Sequence, residues 1–391
     1  MEKTETHAVA PTLTLLALAL SAFAIGSTEF ISVGVMPLII DSFGISLSTA
    51  SMTVSVYAAG IMIGAPLLTA LTGRFPRKGL LLAIMVTFIL GNLLTAIAPN
   101  FAMLLVGRVV AAFAHGLFMS VATVIAANVV EPSKRASAIA TMFTGLTVAT
   151  VTGVPLGTFI GQHASWRASF IVIAAIGFIA LIGNYFLVPS NLPQPIPGRR
   201  GSLLRIFKQK ELTVGLIVTA IGYGASFPVY TFLTTILTDA GWSSGVMVFI
   251  LIAYGLAVAI GNIVGGRVGN TEPLNALAWM FGALFVVMTA MLFGLGHQMI
   301  GLILILLMGL LAFMNVPGLQ LFTMQIAEKN LPEDVQMASA LNISAFNVGI
   351  MIGSAVGGQI ADHVGLGLTP IAGMVLAALA LILTGLLKKW R

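Results

Sequence analysis

Apolar stretches of about 20 residues, each long enough to cross a hydrocarbon core of about 30 Å, follow one another from Leu13 almost to the C-terminus. Short polar turns separate them. This pattern predicts an all-α integral membrane protein with twelve spans. They lie near 12–37, 48–71, 79–98, 101–129, 136–161, 167–188, 212–237, 244–266, 274–295, 299–326, 335–361 and 367–387. The first stretch has no small-residue cleavage site and runs on to Met36, so it reads as a retained span rather than a removed leader. One longer interruption, "PSNLPQPIPGRRGSLLRIFKQKE" at 189–211, places four prolines before five basic residues. It reads as a linker between an N-terminal six-helix bundle, 1–188, and a C-terminal one, 212–391. Leu203, Leu204, Ile206 and Phe207 among its cations fit either an amphipathic helix on an anionic leaflet or a solvated connector.

The two halves read as copies. "ASAIATMFTGLTVATVTG" from Ala136 and "ASALNISAFNVGIMIGSA" from Ala338 stand 202 residues apart, and each opens a span after a charged turn. A weaker echo joins "TGRFPRKGLL" at 72 to "GGRVGNTEPL" at 265, which makes Arg74, Arg77, Lys78 and Arg267 candidates for gating contacts. Duplication about a central linker points to a secondary transporter: two pseudo-symmetric bundles around a central cavity.

Composition agrees with this reading and narrows it. Only 8% of the 391 residues are charged, against about 25% in soluble domains, and the mean hydropathy is +1.07. The net charge of +6 does not point to nucleic acid, because the Lys and Arg residues sit almost entirely in alternate loops. Arg167 is the only Lys or Arg in the opposite-side loops, and Arg108 lies within a span. That bias predicts a multi-pass protein of a cell inner membrane with both termini in the cytoplasm. Cysteine is absent, which excludes disulfides and thiolate chemistry.

At the level of motifs the chain resembles the major facilitator superfamily, and within it the twelve-span drug:proton antiporters of the arabinose-efflux and sugar-efflux branch. The similarity runs the whole length. "GSTEFISVGVMPLI" (26–39) matches the branch pattern in span 1. "TGRFPRKGLL" stands at the superfamily's signature after span 2, with Arg77 and Lys78 matching, Gly73 replacing its Asp and Pro76 its second Gly. "LLVGRVVAAFAHGLF" supplies the intramembrane Arg108 and the His115–Gly116 pair. "GLTVATVTGVPLGTFIG" carries Gly145, Gly153, Pro155, Gly157 and Gly161 of the antiporter signature. "SWRASF" (165–170) and "SALNISAFNVG" (339–349) are further branch hallmarks. The resemblance implies that spans 1 and 4 flank the central cavity, and that the span 5 signature seals one half against the other.

Glu29 and Arg108 are the two residues charged well inside a span, and each costs about 2.5–3.5 kcal/mol to hold at mid-membrane. Counting 1.5 Å per residue from Leu13 and Phe101 places them within about 5 Å of one another in depth. Two readings fit. In one, they form a permanent ion pair that locks two helices. In the other, Glu29 carries the proton, and protonation weakens its hold on Arg108 so that substrate leaves and the bundles rock. Burial and a neighbouring cation act oppositely on a carboxyl group, so its proton affinity can change with conformation. His115 follows Arg108 by two helical turns on the same face, where it either relays the proton or donates a packing hydrogen bond. Gly145, Gly153, Gly157 and Gly161 share one stripe suited to close helix approach, with Pro155 inside it to bend the span.

Candidates for substrate contact are the polar and aromatic side chains of the cavity-type spans: Tyr57, Phe113, His115, Tyr223, Phe227, Tyr230, Asn315, Gln320, Asn342 and Asn347. Nineteen methionines and 23 phenylalanines suit a pliable wall. One carboxylate facing one guanidinium favours neutral, zwitterionic or weakly cationic amphiphiles. The expected function is a proton-driven antiporter exporting small amphiphilic drugs or metabolites, with sugar efflux the alternative. A channel would not need two duplicated bundles, and a membrane enzyme would need motifs the chain lacks, such as HExxH or a Walker sequence. We expect no cofactor or metal, the proton gradient as energy source, the bilayer and a small molecule as partners, no nucleic acid, and a monomer.

Overall fold

The computed structural model describes residues 11–72, 75–131, 135–192, 203–269 and 272–390. Six long helices form the first half: α1 (Pro11–Phe43), α2 (Leu47–Thr72), α3 (Arg77–Ala96), α4 (Phe101–Asn128), α5 (Arg135–His163) and α6 (Trp166–Leu187). A short α7 (Leu203–Lys208) follows. The second half holds α8 (Lys210–Gly224), α9 (Phe227–Tyr230), α10 (Leu233–Asp239), α11 (Ser244–Gly269), α12 (Pro273–Gly294), α13 (Gln298–Asn330), α14 (Val335–His363) and α15 (Pro370–Trp390). Among the described residues twelve spans have sufficient length and apolarity, with α8, α9 and α10 together making the seventh, Lys210–Asp239. Their ends lie within a few residues of the sequence expectation, apart from α1, which runs six residues further.

Local chemistry sets several of these ends. Asn100 caps α4 by accepting from Met103 N at 2.9 Å, and Ser165 caps α6 by accepting from Ala168 N at 3.1 Å. Gly44 has φ of 61°, which suits glycine, and it closes the tight turn from α1 into α2. The seventh span breaks where the sequence expectation had one helix. Pro228 brings no N–H and its ring collides with the carbonyl four residues back, so α8 ends at Gly224 and the chain restarts at Phe227. Pro228 itself packs in a groove of α14, where a side chain at Gly353 or Gly357 would overlap the broken segment.

The two halves repeat one packing pattern. In the first, α1 packs on α5 and α6, α2 on α4, and α3 on α4 and α6. In the second, α8 packs on α14 and α15, α11 on α13, and α12 on α13 and α15. The halves meet through α2 with α14, α5 with α11, and α1 with α10. Helix α1 is buried over nearly its whole circumference from Ser21 to Met36, so Glu29, the one carboxylate of that stretch, is held inside the protein.

Short polar contacts close the face that carries the α1–α2 turn. Ser48 N donates to Asp362 Oδ2 at 3.1 Å, Gln359 Nε2 donates to Ser48 Oγ at 2.7 Å, and the Thr234 hydroxyl donates to Val33 O at 2.9 Å. At the opposite face Arg205 of α7 pairs with the buried Asp334 in the α13–α14 turn, with Nε 3.0 Å from Oδ2. This contact anchors the end of the linker to the second half.

Candidate functional site

Where α1, α2 and α4 of the first half meet α9 and α14 of the second, Glu29, Phe30, Val33, Val54, Tyr57, Ala58, Arg108, Phe227, Tyr230 and Ile350 enclose a cavity of about 10 Å³. That is about the space one water molecule needs. The lining is apolar apart from a carboxylate, a guanidinium and two phenols. Both halves contribute to it.

Arg108 is 1% exposed and does not rest on Glu29. Its Nη1 donates to Thr28 O at 2.8 Å and its Nε to Thr53 O at 3.0 Å, joining α4 to α1 and α2. The Tyr57 ring lies beneath its guanidinium, 3.9 Å from Cζ to the ring centroid. A desolvated cation gains about 2 kcal/mol from such a ring, and each charge-assisted hydrogen bond contributes about 1.5–3 kcal/mol. Thr28 is itself fixed, because its hydroxyl donates to Asn92 Oδ1 of α3 at 2.8 Å.

The basic side chain in contact with Glu29 is His115. Oε2 lies 3.9 Å from His115 Nδ1, and among the described residues no guanidinium nitrogen comes within 4 Å of the carboxylate. The direct Glu29–Arg108 pair expected from matching depth is therefore replaced by two neighbouring arrangements. Arg108 is bound to backbone carbonyls, and Glu29 faces His115. Tyr57 links them, since its hydroxyl lies 3.0 Å from the same His115 Nδ1.

Of the other candidates, Tyr57, Phe227 and Tyr230 line this cavity. Tyr230 stacks on Tyr254, with centroids 5.6 Å apart at 19°. Tyr223 sits beside the cavity in a ring cluster with Phe227, Phe313 and Phe346. Phe113 packs against α2 at Gly64. Gln320 and Asn342 belong to a buried network inside the second half: Thr219 donates to Asn342 Oδ1 at 2.7 Å, Asn342 Nδ2 to Gln320 Oε1 at 2.7 Å, and Gln320 Nε2 to Ser339 Oγ at 2.7 Å. Asn315 and Asn347 donate to their own helices, at Ala312 O and Ile343 O. None of Phe113, Asn315, Gln320, Asn342 and Asn347 lines the cavity.

The glycine stripe of α5 packs against α1 inside its own half. A side chain at Gly145 would overlap Ala19 O, and Gly153, Gly157 and Gly161 face Phe30, Ile31 and Leu38. Between the halves, α5 instead presents Val151 to Gly255 of α11. The stripe therefore faces α1, and the approach of α5 to the other half is made by a neighbouring face of the same helix. Pro155 lies inside α5, which runs unbroken from Arg135 to His163. Arg77 is half-buried at the start of α3, Lys78 Nζ lies 5.6 Å from the Tyr185 ring, and Arg267 is exposed in the last turn of α11. Arg74 lies outside the described residues.

Thr28 and Thr53 escaped sequence reasoning because they act through main-chain carbonyls, which leave no residue signature. Phe30, Val33, Val54, Ala58 and Ile350 are ordinary apolar residues in a chain full of them. Pro228 was the one available signal that span 7 presents its aromatic pair differently.

The Major Facilitator Superfamily profile matches residues 18–333. The chain belongs to that superfamily. It is 51% identical over 372 residues to the uncharacterized MFS-type transporter YtbD of Bacillus subtilis, covering 95% of this chain and 94% of that one. A probable sugar efflux transporter of Pasteurella multocida is 29% identical, with 95% and 91% covered. Among solved structures, a bacterial homologue of the human lysosomal transporter Spinster, in an inward-facing and occupied conformation, superposes with a TM-score of 0.81 at 16% identity over 97% of each chain. The protein is a multi-pass superfamily transporter built on this twelve-helix fold.

Proposed function

We propose that this transporter is a proton-coupled antiporter that exports small amphiphilic compounds by alternating access, with Glu29 as the proton carrier. The observation that carries this reading is the separation of Arg108 from Glu29. The guanidinium is anchored to Thr28 O and Thr53 O, so the carboxyl group can gain or lose a proton without releasing the helix junction that Arg108 holds. A rivet would need the two side chains on each other. Glu29 instead lies at the junction of the halves, lining the cavity, with His115 as its nearest ionisable contact.

On this reading a protonated Glu29 reduces the charge in the cavity and permits the halves to rearrange, and an ionised Glu29 binds the donor groups of a substrate. Exchange of proton for substrate follows because both states use one carboxylate. The protein acts in a cell inner membrane, as a monomer, with both termini in the cytoplasm and no cofactor. The basic residues of alternate loops support that orientation. Sugar or sugar-derivative efflux is the second reading. It is favoured by the relative named for sugar efflux and by the phenol and phenyl rings facing the cavity.

Purified protein in liposomes with an imposed pH gradient tests the proposal. Wild type accumulates substrate against its gradient, whereas Glu29→Gln retains substrate exchange and loses accumulation. Accumulation by Glu29→Gln at the wild-type rate removes Glu29 from the proton pathway.

A further inference from the structure

We propose that the Tyr57 hydroxyl is the positioning group that sets which ring nitrogen of His115 carries the proton, and so controls whether His115 can exchange a proton with Glu29. The inference rests on the proton-carrier reading of Glu29 for its consequence, but not for its geometry. Tyr57 Oη lies 3.0 Å from His115 Nδ1 and Glu29 Oε2 lies 3.9 Å from that same atom. A neutral imidazole offers at Nδ1 either one lone pair or one N–H, never both. Nδ1 therefore cannot accept from Tyr57 and donate to Glu29 at the same time.

The surroundings hold this geometry in place. Tyr57 is 1% exposed and its ring face lies under the Arg108 guanidinium, so the phenol is fixed while its O–H remains free to turn. His115 is 5% exposed. The charged groups against the pair are Glu29 from α1, beside His115, and Arg108 from α4, over the Tyr57 ring, and Tyr230 from α9 faces the same cavity as Tyr57. With the hydroxyl donating into Nδ1, the imidazole proton resides on Nε2.

A proton can then move in balanced steps. The Tyr57 O–H turns from Nδ1, the Glu29 carboxyl group swings in from 3.9 Å to hydrogen-bond reach, and it transfers its proton to the freed lone pair, giving a carboxylate and an imidazolium. The imidazolium releases its Nε2 proton on the far side and is left neutral with its proton on Nδ1, now donating to Tyr57 Oη or to Glu29. One proton enters at Nδ1 and one leaves at Nε2. Tyr57 gains and loses none, which makes it a positioning residue.

The test uses full-length protein labelled with ¹⁵N-histidine in lipid bilayers at about pH 8, where an ordinary imidazole is neutral. Nitrogen NMR distinguishes the two tautomers, and the His115 signals among the five histidines are those lost in His115→Asn. The wild type shows the Nε2–H form at His115. Tyr57→Phe keeps the ring under Arg108, removes the hydroxyl, and makes the Nδ1–H form the majority. A wild type already in the Nδ1–H form overturns the inference, and so does the same tautomer in both proteins. A tautomer exchange in Tyr57→Phe, found together with full proton-driven accumulation by Glu29→Gln, supports the positioning role and removes the carrier reading instead.

Discussion

Glu29 and His115 face each other across 3.9 Å at the junction of two halves, while Arg108, the other intramembrane charge, is bound to backbone. This division of labour is the central feature of the site. Two carbonyls hold Nε and Nη1 of Arg108 and so fix α1, α2 and α4 relative to one another, while on the proposed mechanism a carboxylate with no guanidinium nitrogen within 4 Å keeps its proton exchangeable.

Arg108 should behave as a structural element with a fork-shaped requirement. Arg108→Ala removes two charge-assisted hydrogen bonds, each worth about 1.5–3 kcal/mol, and thermal unfolding in detergent should shift down by several degrees with transport impaired. Arg108→Lys should recover little, because one ammonium cannot reproduce a planar fork directed at Thr28 O and Thr53 O. Normal transport and an unchanged melting temperature in Arg108→Ala contradict this assignment.

Glycines of α5 should be intolerant in a position-specific way. Gly145→Ala places a methyl group onto Ala19 O of α1, so loss of stability or expression is expected. Gly79→Ala in α3 meets nothing within 4 Å and should be neutral or stabilising by up to about 1 kcal/mol through helix propensity. Melting curves of the two variants side by side check the contrast, and equal effects would refute it.

The contact between Asp362 and the first turn of α2 should control opening of the α1–α2 face. Asp362→Ala removes the acceptor for Ser48 N, and combining it with Gln359→Ala also removes the donor to Ser48 Oγ. Since the chain has no cysteine, a single Val33→Cys at the cavity wall reports access directly. Labelling by an impermeant thiol reagent should rise several-fold in the double variant. An unchanged labelling rate places the closure elsewhere.

Much of this architecture was legible in the sequence because membrane physics writes it plainly. A span needs about 20 apolar residues, and two charges inside such spans stand out against them. Glu29 and Arg108 stand out in that way, with His115 the third ionisable residue, and the structure brings all three together. What they bond to was not legible. Matching depth pointed Arg108 at Glu29, yet main-chain carbonyls of α1 and α2 compete for a guanidinium and carry no mark in the sequence. A stripe of small residues on α5 likewise announced close approach without saying to which helix, and the answer was α1. Asn342 and Gln320 looked available for substrate, but a buried amide needs partners, and each found the other within its own half.

The proposed proton movement through Glu29 is tested most directly by running the proposed exchange backwards. Liposomes containing the protein and an entrapped pH-sensitive dye are given a substrate gradient and no pH gradient. Wild type should move protons against the direction of substrate flow and acidify or alkalinise the lumen accordingly, and Glu29→Gln should move substrate with no change in dye signal. A proton signal of wild-type size in Glu29→Gln contradicts the account.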